Sequence, residues 1–314
     1  MLRIWFMLVS VTLLVLAARL VNLLNSTLSQ FLQRNSLDSS YLVSAEKNFG
    51  SLVQEIGLLS KRSGTQVIGI NGCQGSGKST LADYLCTRVS TDYSVPAVPL
   101  SLDDFYLTKA QRQQLSRDIH PLLATRGVPG THDIQLALTT INDLKCAKTT
   151  RITRFDKSTD DRVPISDSEL VQGPLGLIVI EGWCFGATAV TEADLKDPVN
   201  SLERDFDADG RWRRYINQSL AGDYQKLFNC VDRSIMLAAP SFDQVHQWRL
   251  EQEQKLINKL KLSGTELSST DIMNEEQIAK FIAYFERITR HCLQQLPTKV
   301  DHLYRLNRDR SISS

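Results

Sequence analysis

The segment GINGCQGSGKST at residues 69–80 constrains this chain more than any other, because four glycines precede a Lys-Ser-Thr ending. Glycine adopts positive φ at little steric cost, so such a concentration of it predicts an unusually folded loop. Residues 72–79 match the pattern G-x-x-x-x-G-K-[ST]. In this pattern, backbone N–H groups surround phosphate oxygens, and the following helix adds the positive end of its dipole. The segment therefore predicts a phosphate-binding loop between a strand and a helix.

A loop of this kind assigns roles to its last residues. Lys78 is expected to neutralise the β- and γ-phosphates of ATP, and the Ser79 hydroxyl to bind Mg²⁺. The predicted nucleotide-binding residues are Gly72, Cys73, Gln74, Gly75, Ser76, Gly77, Lys78, Ser79 and Thr80. A dinucleotide-binding fold is disfavoured because the glycines do not follow G-x-G-x-x-G. A GTPase is disfavoured as well, because NKLK at 258–261 is the nearest string to an Asn-Lys-x-Asp guanine reader and lacks the aspartate.

Short apolar runs alternate with helical patterns along the chain. The runs that predict strands are 65–71, 97–104, 149–156, 175–182, 233–239 and 301–307, and the predicted helices are 78–90, 108–117, 132–145, 211–230, 241–261 and 273–293. Such alternation is typical of an α/β fold with a mostly parallel sheet and helices on both of its faces. We therefore expect one kinase-type P-loop domain over residues 26–314.

Composition excludes several other classes. The chain carries 36 basic and 35 acidic residues, so no basic excess indicates a nucleic-acid partner. Its six cysteines stand far apart, without metal-ligand or C-x-x-C spacing. They are typical of a reducing compartment, and together with ATP use they favour a cytoplasmic protein. Cys73 lies within the glycine loop, where a thiol can be oxidised, although a tolerated small residue is the simpler interpretation.

The N-terminal segment 1–25 differs from the rest of the chain. Residues 4–18 are mostly apolar between Arg3 and Arg19, a length that suits a signal-peptide core better than a membrane span. Extension to Leu24 reaches spanning length but includes one arginine. A signal or anchor, a membrane-associated helix and a wrongly extended start all fit, and we favour the last. A membrane contact is expected only if residues 4–24 are a real anchor.

Carboxylates follow two of the predicted strands. Asp103 and Asp104 end the strand that precedes FYL, and Glu181 ends the run LIVI. The carboxyl edge of an open α/β sheet is where ligands bind. Either aspartate can orient an acceptor hydroxyl and take its proton, or bind Mg²⁺ through water, while a helix cap is the alternative role for one of them. Both Asp103 and Asp104 are catalytic candidates, and Asp103 is favoured. Glu181 is predicted to hold Mg²⁺ or its water, together with Ser79.

Two polar segments are candidates for the acceptor side. RGVPGTHD at 126–133 places Arg126, His132 and Asp133 around a Pro-Gly turn, which is either an acceptor loop or a turn with a helix cap. FDKSTDDR at 155–162 offers Lys157 and Arg162 at a strand end, where positive charge can hold an acidic acceptor. A solvent-exposed run of charges is the alternative.

The chain resembles the P-loop D-glycerate 3-kinase family, and in particular a short bacterial-type member, in the order of six motifs. They are GCQGSGKST, LDDFY, RGVPGTHD, FDKSTDDR, IVIEGW and WRLEQE. The family is related to pantothenate, uridine and phosphoribulose kinases, and the similarity covers roughly residues 40–308. It implies a kinase fold and MgATP-dependent phosphorylation of a small hydroxylated acceptor. It also implies catalytic roles for Lys78 and Asp103. The acceptor residues that it implies are Arg126, His132, Asp133, Asp156, Lys157 and Arg162.

The resemblance further implies that the helix containing WRLEQE is a closing lid from which Arg249 reaches the phosphates. A lid excludes water, so that ATP hydrolysis does not compete with transfer. Two departures fall on the expected acceptor side: Val128 stands where the family often has a polar residue, and the segment from Asp156 to Arg162 is short. We expect D-glycerate as the acceptor. Pantothenate-, nucleoside- and sugar-type acceptors, and an ATPase or regulator without an acceptor, remain the alternatives.

Overall fold

A parallel sheet of five strands forms the centre of the computed structural model, which describes residues 26–262 and 274–313. The strands are β1 Gln66–Gly72, β2 Ala97–Ser101, β3 Thr149–Ile152, β4 Phe155–Asp156, β5 Asp161–Arg162, β6 Glu169–Gln172, β7 Leu177–Gly182, β8 Arg233–Ala238 and β9 His302–Arg305. The central sheet has the order β2-β7-β1-β8-β9, and all of its neighbours are parallel. The predicted α/β class with a parallel sheet is confirmed.

Helices cover the sheet. They are α1 at 26–34, α2 Ser40–Arg62, α3 Lys78–Tyr93, α4 Lys109–Asp118, α5 Ile134–Lys145, α6 Ser201–Phe206, α7 Arg211–Ser219, α8 Gln225–Phe228, α9 Phe242–Leu262, α10 Glu275–Ala283 and α11 Glu286–Gln295. The predicted helix 211–230 is interrupted by a π-helical turn over Leu220–Tyr224, and the predicted helix 273–293 divides into α10 and α11. The apolar segment 4–24 lies outside the described residues.

The hydrophobic core lies on both faces of the sheet, because successive strand residues point to opposite sides. In β7, Ile178 and Ile180 join the core on one face, where α5 and α7 pack, while Val179 joins the other. The second face is covered by α2 and α3. Burial on both faces explains why LIVI is continuously apolar. In the part of the chain that the structure describes, none of the helices combines the length and apolarity needed to cross a bilayer.

The predicted strand 149–156 does not join the central sheet. β3 pairs with β6 as an antiparallel ribbon, and β4 pairs with β5 as a second one. Side chains of β3 alternate between exposed and buried, with Ile152 buried and Arg151 exposed. A strand with one solvent-exposed face suits a two-stranded ribbon and not a central position in a parallel sheet. The prediction that residues 149–156 form a strand of the central sheet was therefore wrong.

Strand register brings the predicted site together. Ser101 of β2 pairs with Glu181 of β7, and Glu181 pairs with Ile70 of β1. The carboxyl ends of β2, β7 and β1 are therefore adjacent. The glycine loop follows β1, the two aspartates follow β2, and Glu181 lies between them.

Candidate active site

The glycine loop connects β1 to α3, as predicted. Gly75 and Gly77 have φ values of +78° and +88°, in the left-handed region that other residues rarely adopt. Lys78 and Ser79 are the first residues of α3, so the unpaired N–H groups of that helix end face the loop. Cys73 is buried, and loss of solvation raises the pKa of its thiol to about 12. This thiol is therefore a small core group and not a reactive one.

Glu181 contacts Lys78 and Ser79, the first two residues of α3. The Ser79 hydroxyl donates to Glu181 Oε1 at 2.6 Å, and Lys78 Nζ lies 3.8 Å from Oε2. Burial lowers the pKa of Lys78, but the negative charges of Glu181 and Asp103 more than offset this and leave that pKa raised. Lys78 thus stays a cation. Among the described residues, Glu181 Oε2 is buried without a hydrogen-bond donor.

The two aspartates after β2 have different surroundings. Asp103 accepts hydrogen bonds from Lys157 Nζ and the Tyr106 hydroxyl, each at 2.8 Å. Burial raises the pKa of Asp103, but the charges of Lys157 and Lys78 outweigh it, so this pKa lies well below the usual range. Asp103 is therefore ionised, and it lies close enough to Lys78 for the two charges to interact.

Asp104 also lines the cavity, but it is tied to the local structure by more contacts with its own turn. Arg154 Nη1 donates to its Oδ2 at 2.8 Å, and the backbone N–H of Ser101 reaches the same oxygen at 3.4 Å. Asp104 thereby closes a capping box on the short helical turn Leu102–Phe105. Burial raises the pKa of Asp104, with Arg154 opposing. Of the two aspartates, Asp104 is therefore the one that caps a helical turn.

On the far side of the cavity, two arginines share one carboxylate. Arg112 is 1% exposed, donates to Asp160 O at 2.6 Å and lies 2.9 Å from its Oδ2. Arg126 binds the other oxygen, Oδ1, and its guanidinium lies 5.5 Å above the Phe155 ring. Arg112 is further held by the carbonyls of Leu107 and Ala124, at 3.1 Å each. Arg126 is a quarter exposed and faces the cavity.

The short segment from Asp156 to Arg162 is a tight hairpin. Asp156 accepts from the Ser158 backbone at 2.9 Å, is half-buried in the turn and lies outside the cavity lining. Lys157 points to Asp103, and Asp160 has a positive φ of 56° that aims it at the two arginines. Because this segment is short, it places the Lys157 ammonium and the Asp160 carboxylate in the cavity wall.

Three of the predicted acceptor residues lie behind that wall. Arg162 donates to Tyr106 O at 2.8 Å and to Asp133 Oδ2 at 3.1 Å. Asp133 caps α5 through the backbone N–H of Leu136. His132 is buried against the Tyr106 ring, with 4.5 Å between the ring centroids, and its Nδ1 lies 2.5 Å from the Tyr224 hydroxyl. These side chains position Tyr106 and its loop. Val128 is fully buried in the core, so that departure from the family pattern does not reach the cavity.

The cavity between these groups has a volume of about 870 Å³. Its aromatic lining includes Tyr106, Phe155, Trp183, Phe281 and Phe285. Its charged lining consists of Lys78, Arg112, Arg126, Lys157 and Arg249, with Asp103, Asp104, Asp160 and Glu181. Positive groups thus exceed negative ones among the described residues of the lining. The volume and the sign of this charge suit anionic ligands.

The helix expected to close the site is α9. Two neighbouring side chains of this helix differ: Trp248 is fully buried, and Arg249 lies at the cavity, with its Cζ 5.9 Å above the Phe281 ring. The structure therefore brings Arg249 to the same cavity as Lys78, Ser79, Asp103 and Glu181.

Arg112 and Asp160 belong to the site but were not identified from the sequence. Arg112 lies in the polar helix α4, whose composition predicts a solvated surface. Asp160 falls within the segment 155–162 that was singled out, yet its role depends on a hairpin that composition does not specify. Arg112 is one of two arginines in this polar helix, and nothing in the sequence distinguishes it as the one that contacts residue 160.

Two curated proteins resemble the chain over much of its length. "Uncharacterized kinase mug58" of Schizosaccharomyces pombe is 31% identical over 245 residues, which cover 70% of this chain and 78% of that protein. "D-glycerate 3-kinase, chloroplastic" of Arabidopsis thaliana is 30% identical over 198 residues, which cover 60% of this chain and 41% of the plant protein. No model of a protein family matches the chain.

A solved structure has the same fold. D-glycerate 3-kinase from Cryptococcus neoformans superposes with a TM-score of 0.69, at 24% identity, over 85% of this chain and 97% of that one. This likeness establishes the fold alone, because sequence identity at this level does not show which substrate the chain acts on.

Proposed function

The chain is a kinase that belongs to the P-loop D-glycerate 3-kinase family, and from that premise we propose that it phosphorylates a small acidic acceptor with MgATP. D-glycerate is the first candidate. One observation carries the proposal: a single cavity is lined by the phosphate-loop residues Lys78 and Ser79, by Asp103, and by Arg126 on the opposite side. A donor phosphate and an acceptor hydroxyl can therefore meet within it.

The nucleotide side fits a magnesium ion. Glu181 Oε2 is buried and has no hydrogen-bond donor within the described part of the chain, and Glu181 Oε1 accepts from the Ser79 hydroxyl. Hydroxyl and carboxylate oxygens are the ligands that Mg²⁺ prefers beside phosphates. Ser79 and Glu181 would hold the ion, directly or through water. When bound, Mg²⁺ neutralises charge on the β- and γ-phosphates.

Asp103 is the residue proposed to receive the acceptor proton. A carboxylate offers about four lone-pair positions, and Lys157 and Tyr106 occupy two of those on Asp103. The acceptor hydroxyl donates to a remaining one, its oxygen bonds to the γ-phosphorus, the bond from phosphorus to the β,γ-bridging oxygen breaks, and ADP leaves. The low pKa of Asp103 keeps it ionised, so that its main work is to orient the hydroxyl and take the proton late in transfer.

The acceptor side fits a carboxylate. Among the residues that the structure describes, Asp160 is the one carboxylate paired with Arg112 and Arg126, so that one positive charge is left over at the cavity wall. Arg126 is the more exposed of the two and has the planar donor group that binds carboxylates in a bidentate manner. Glycerate carries a carboxylate next to its hydroxyls. An ATPase or regulator without an acceptor has no use for this second charged wall.

α9 is proposed as the lid, with Arg249 directed at the phosphates. Closure over the cavity would exclude water, which otherwise competes with the acceptor for the γ-phosphoryl group. ATP use and the free cysteines of the described residues favour the cytoplasm as the place of this reaction.

The test is acceptor-dependent release of ADP by the purified protein. Hydroxy acids, pantothenate, nucleosides and sugars are screened with MgATP, and D-glycerate is expected to give the largest acceleration over the rate without acceptor. A faster rate with a nucleoside or sugar would move the acceptor to another class. ADP release that no acceptor accelerates would favour an ATPase.

A further inference from the structure

A side chain near the end of the chain contacts the phosphate-binding loop. Arg310 Nε donates to the carbonyl oxygen of Gly75 at 2.8 Å, across 235 positions of sequence. Gly75 lies at the turn of the loop, with φ of +78°, and lines the cavity. The next residue, Ser76, donates its backbone N–H to Cys73 O at 3.2 Å. The peptide between Gly75 and Ser76 is therefore held at both ends, by Arg310 and by Cys73.

The segment that carries Arg310 is an ordered turn after β9. Leu306 and Ile312 form an antiparallel bridge, and Asn307 N donates to Ser311 O at 2.8 Å. Asp309 accepts from the Ser311 backbone at 3.0 Å. Arg310 itself has a φ of 69°, an uncommon conformation outside glycine that turns its side chain towards the loop. These contacts present one guanidinium at a fixed position.

The same guanidinium contacts the proposed lid. Arg310 Nη1 lies 2.7 Å from Glu251 Oε2 on α9, and its Cζ lies 5.1 Å above the Trp248 ring. Trp248 is fully buried and donates from its indole N–H to Arg308 O at 2.7 Å. Arg310 is thus in contact with the loop through Gly75 and with α9 through Glu251 and Trp248. A planar guanidinium spreads five N–H donors over a wide fork and can reach both acceptors at once, whereas a lysine offers three donors from a single nitrogen.

We propose that Arg310 is a positioning residue for nucleotide binding, which holds the Gly75 peptide in its phosphate-binding orientation and couples it to α9. The inference rests on the proposed function, because it requires ATP to bind at this loop. It adds a residue that neither the phosphate-loop pattern nor the acceptor segments contain. Arg310 would act on the nucleotide indirectly, through the Gly75 backbone, and would not contact the acceptor.

The experiment measures the binding of a non-hydrolysable ATP analogue with Mg²⁺ by calorimetry. The melting temperature and the KM values of ATP and of the acceptor are measured for the same variants. Arg310→Ala is expected to weaken analogue binding about tenfold, or 1.4 kcal/mol, with the KM of the acceptor unchanged. Arg310→Lys should fall between Ala and the parent. Glu251→Gln should change binding only about two- to threefold, because the hydrogen bond to Gly75 remains. Arg308→Ala is the matched control: it removes an exposed charge from the same turn but keeps the carbonyl that Trp248 uses, and it should bind like the parent.

The outcomes separate this inference from the proposed function. If the parent binds the analogue and Arg310→Ala binds it equally well, with or without a lower melting temperature, Arg310 is only structural and the inference is overturned alone. If the parent itself does not bind the analogue, the proposed function fails and the inference fails with it. Selective loss of nucleotide affinity in Arg310→Ala, partly restored by Arg310→Lys, supports the inference.

Discussion

Replacement of Asp103 by asparagine separates its charge from its shape. The amide has nearly the same volume. Lys157 Nζ and the Tyr106 hydroxyl donate to different oxygens of the present carboxylate, at 2.8 Å each, so the single carbonyl oxygen of asparagine can accept from Lys157 while its NH₂ group donates to the Tyr106 oxygen. The amide cannot take a proton from an acceptor hydroxyl. A positioned general base contributes about 10²- to 10⁴-fold to a rate, which corresponds to roughly 3–5 kcal/mol of activation free energy. We expect turnover to fall within this range.

Stability should change much less than turnover. The Lys157 side chain is 61% exposed, so water screens its pairing with Asp103 and the loss of that ion pair costs under about 1 kcal/mol. Nucleotide affinity should also be retained, because Lys78 and Ser79 are unchanged. The assay is steady-state turnover with MgATP and the acceptor, beside the melting temperature and the dissociation constant of an ATP analogue.

Asp104→Asn is the control for this prediction. Asp104 pairs with Arg154 and closes the capping box with Ser101, so its loss should destabilise the fold by roughly 1–3 kcal/mol. Turnover of the folded fraction should stay within a few-fold of the parent. If Asp103→Asn keeps its turnover, or if Asp104→Asn loses as much turnover while its stability is intact, the assignment of the base to Asp103 is wrong.

Three further outcomes follow from the site. Lys78→Ala should lower transfer more than about 100-fold while melting stays cooperative, since it removes a cation aimed at the phosphates; full activity would refute its role. Arg126→Ala should raise the acceptor KM about 10- to 100-fold and leave the KM of ATP alone, whereas the exposed Arg117→Ala should change neither. Burial lowers the pKa of His132 from 6.5 to about 4, so the unfolded chain binds more protons between these values and stability should drop as pH falls from about 6.5 towards 4. Urea denaturation at each pH should show a weaker slope for His132→Gln, and an equal slope would exclude His132 as the cause.

The phosphate loop and its flanking elements were predictable from sequence because their signals are local. The glycines at positive φ, the lysine at the helix start and the apolar run before Glu181 each fix structure within a few residues. The same is true of the carboxylates at strand ends, because a parallel sheet brings those ends to one edge.

The acceptor wall was less predictable because it depends on distant contacts. Arg112 reaches Asp160 across 48 positions, and neither residue stands out in its own segment. Arg162 and Asp133 look like acceptor ligands by charge, yet they pair with one another behind the wall. The ribbon strand at 149–152 did carry a signal: its alternation of polar and apolar residues differs from the continuous apolar run of β7.

A crystal structure with a non-hydrolysable ATP analogue, Mg²⁺ and D-glycerate tests the central claim most directly. It should show the terminal phosphate at Lys78 and Ser79, the glycerate hydroxyl hydrogen-bonded to Asp103, and the glycerate carboxylate beside Arg126. A cavity that stays empty under these conditions, or an analogue bound away from the glycine loop, would contradict it.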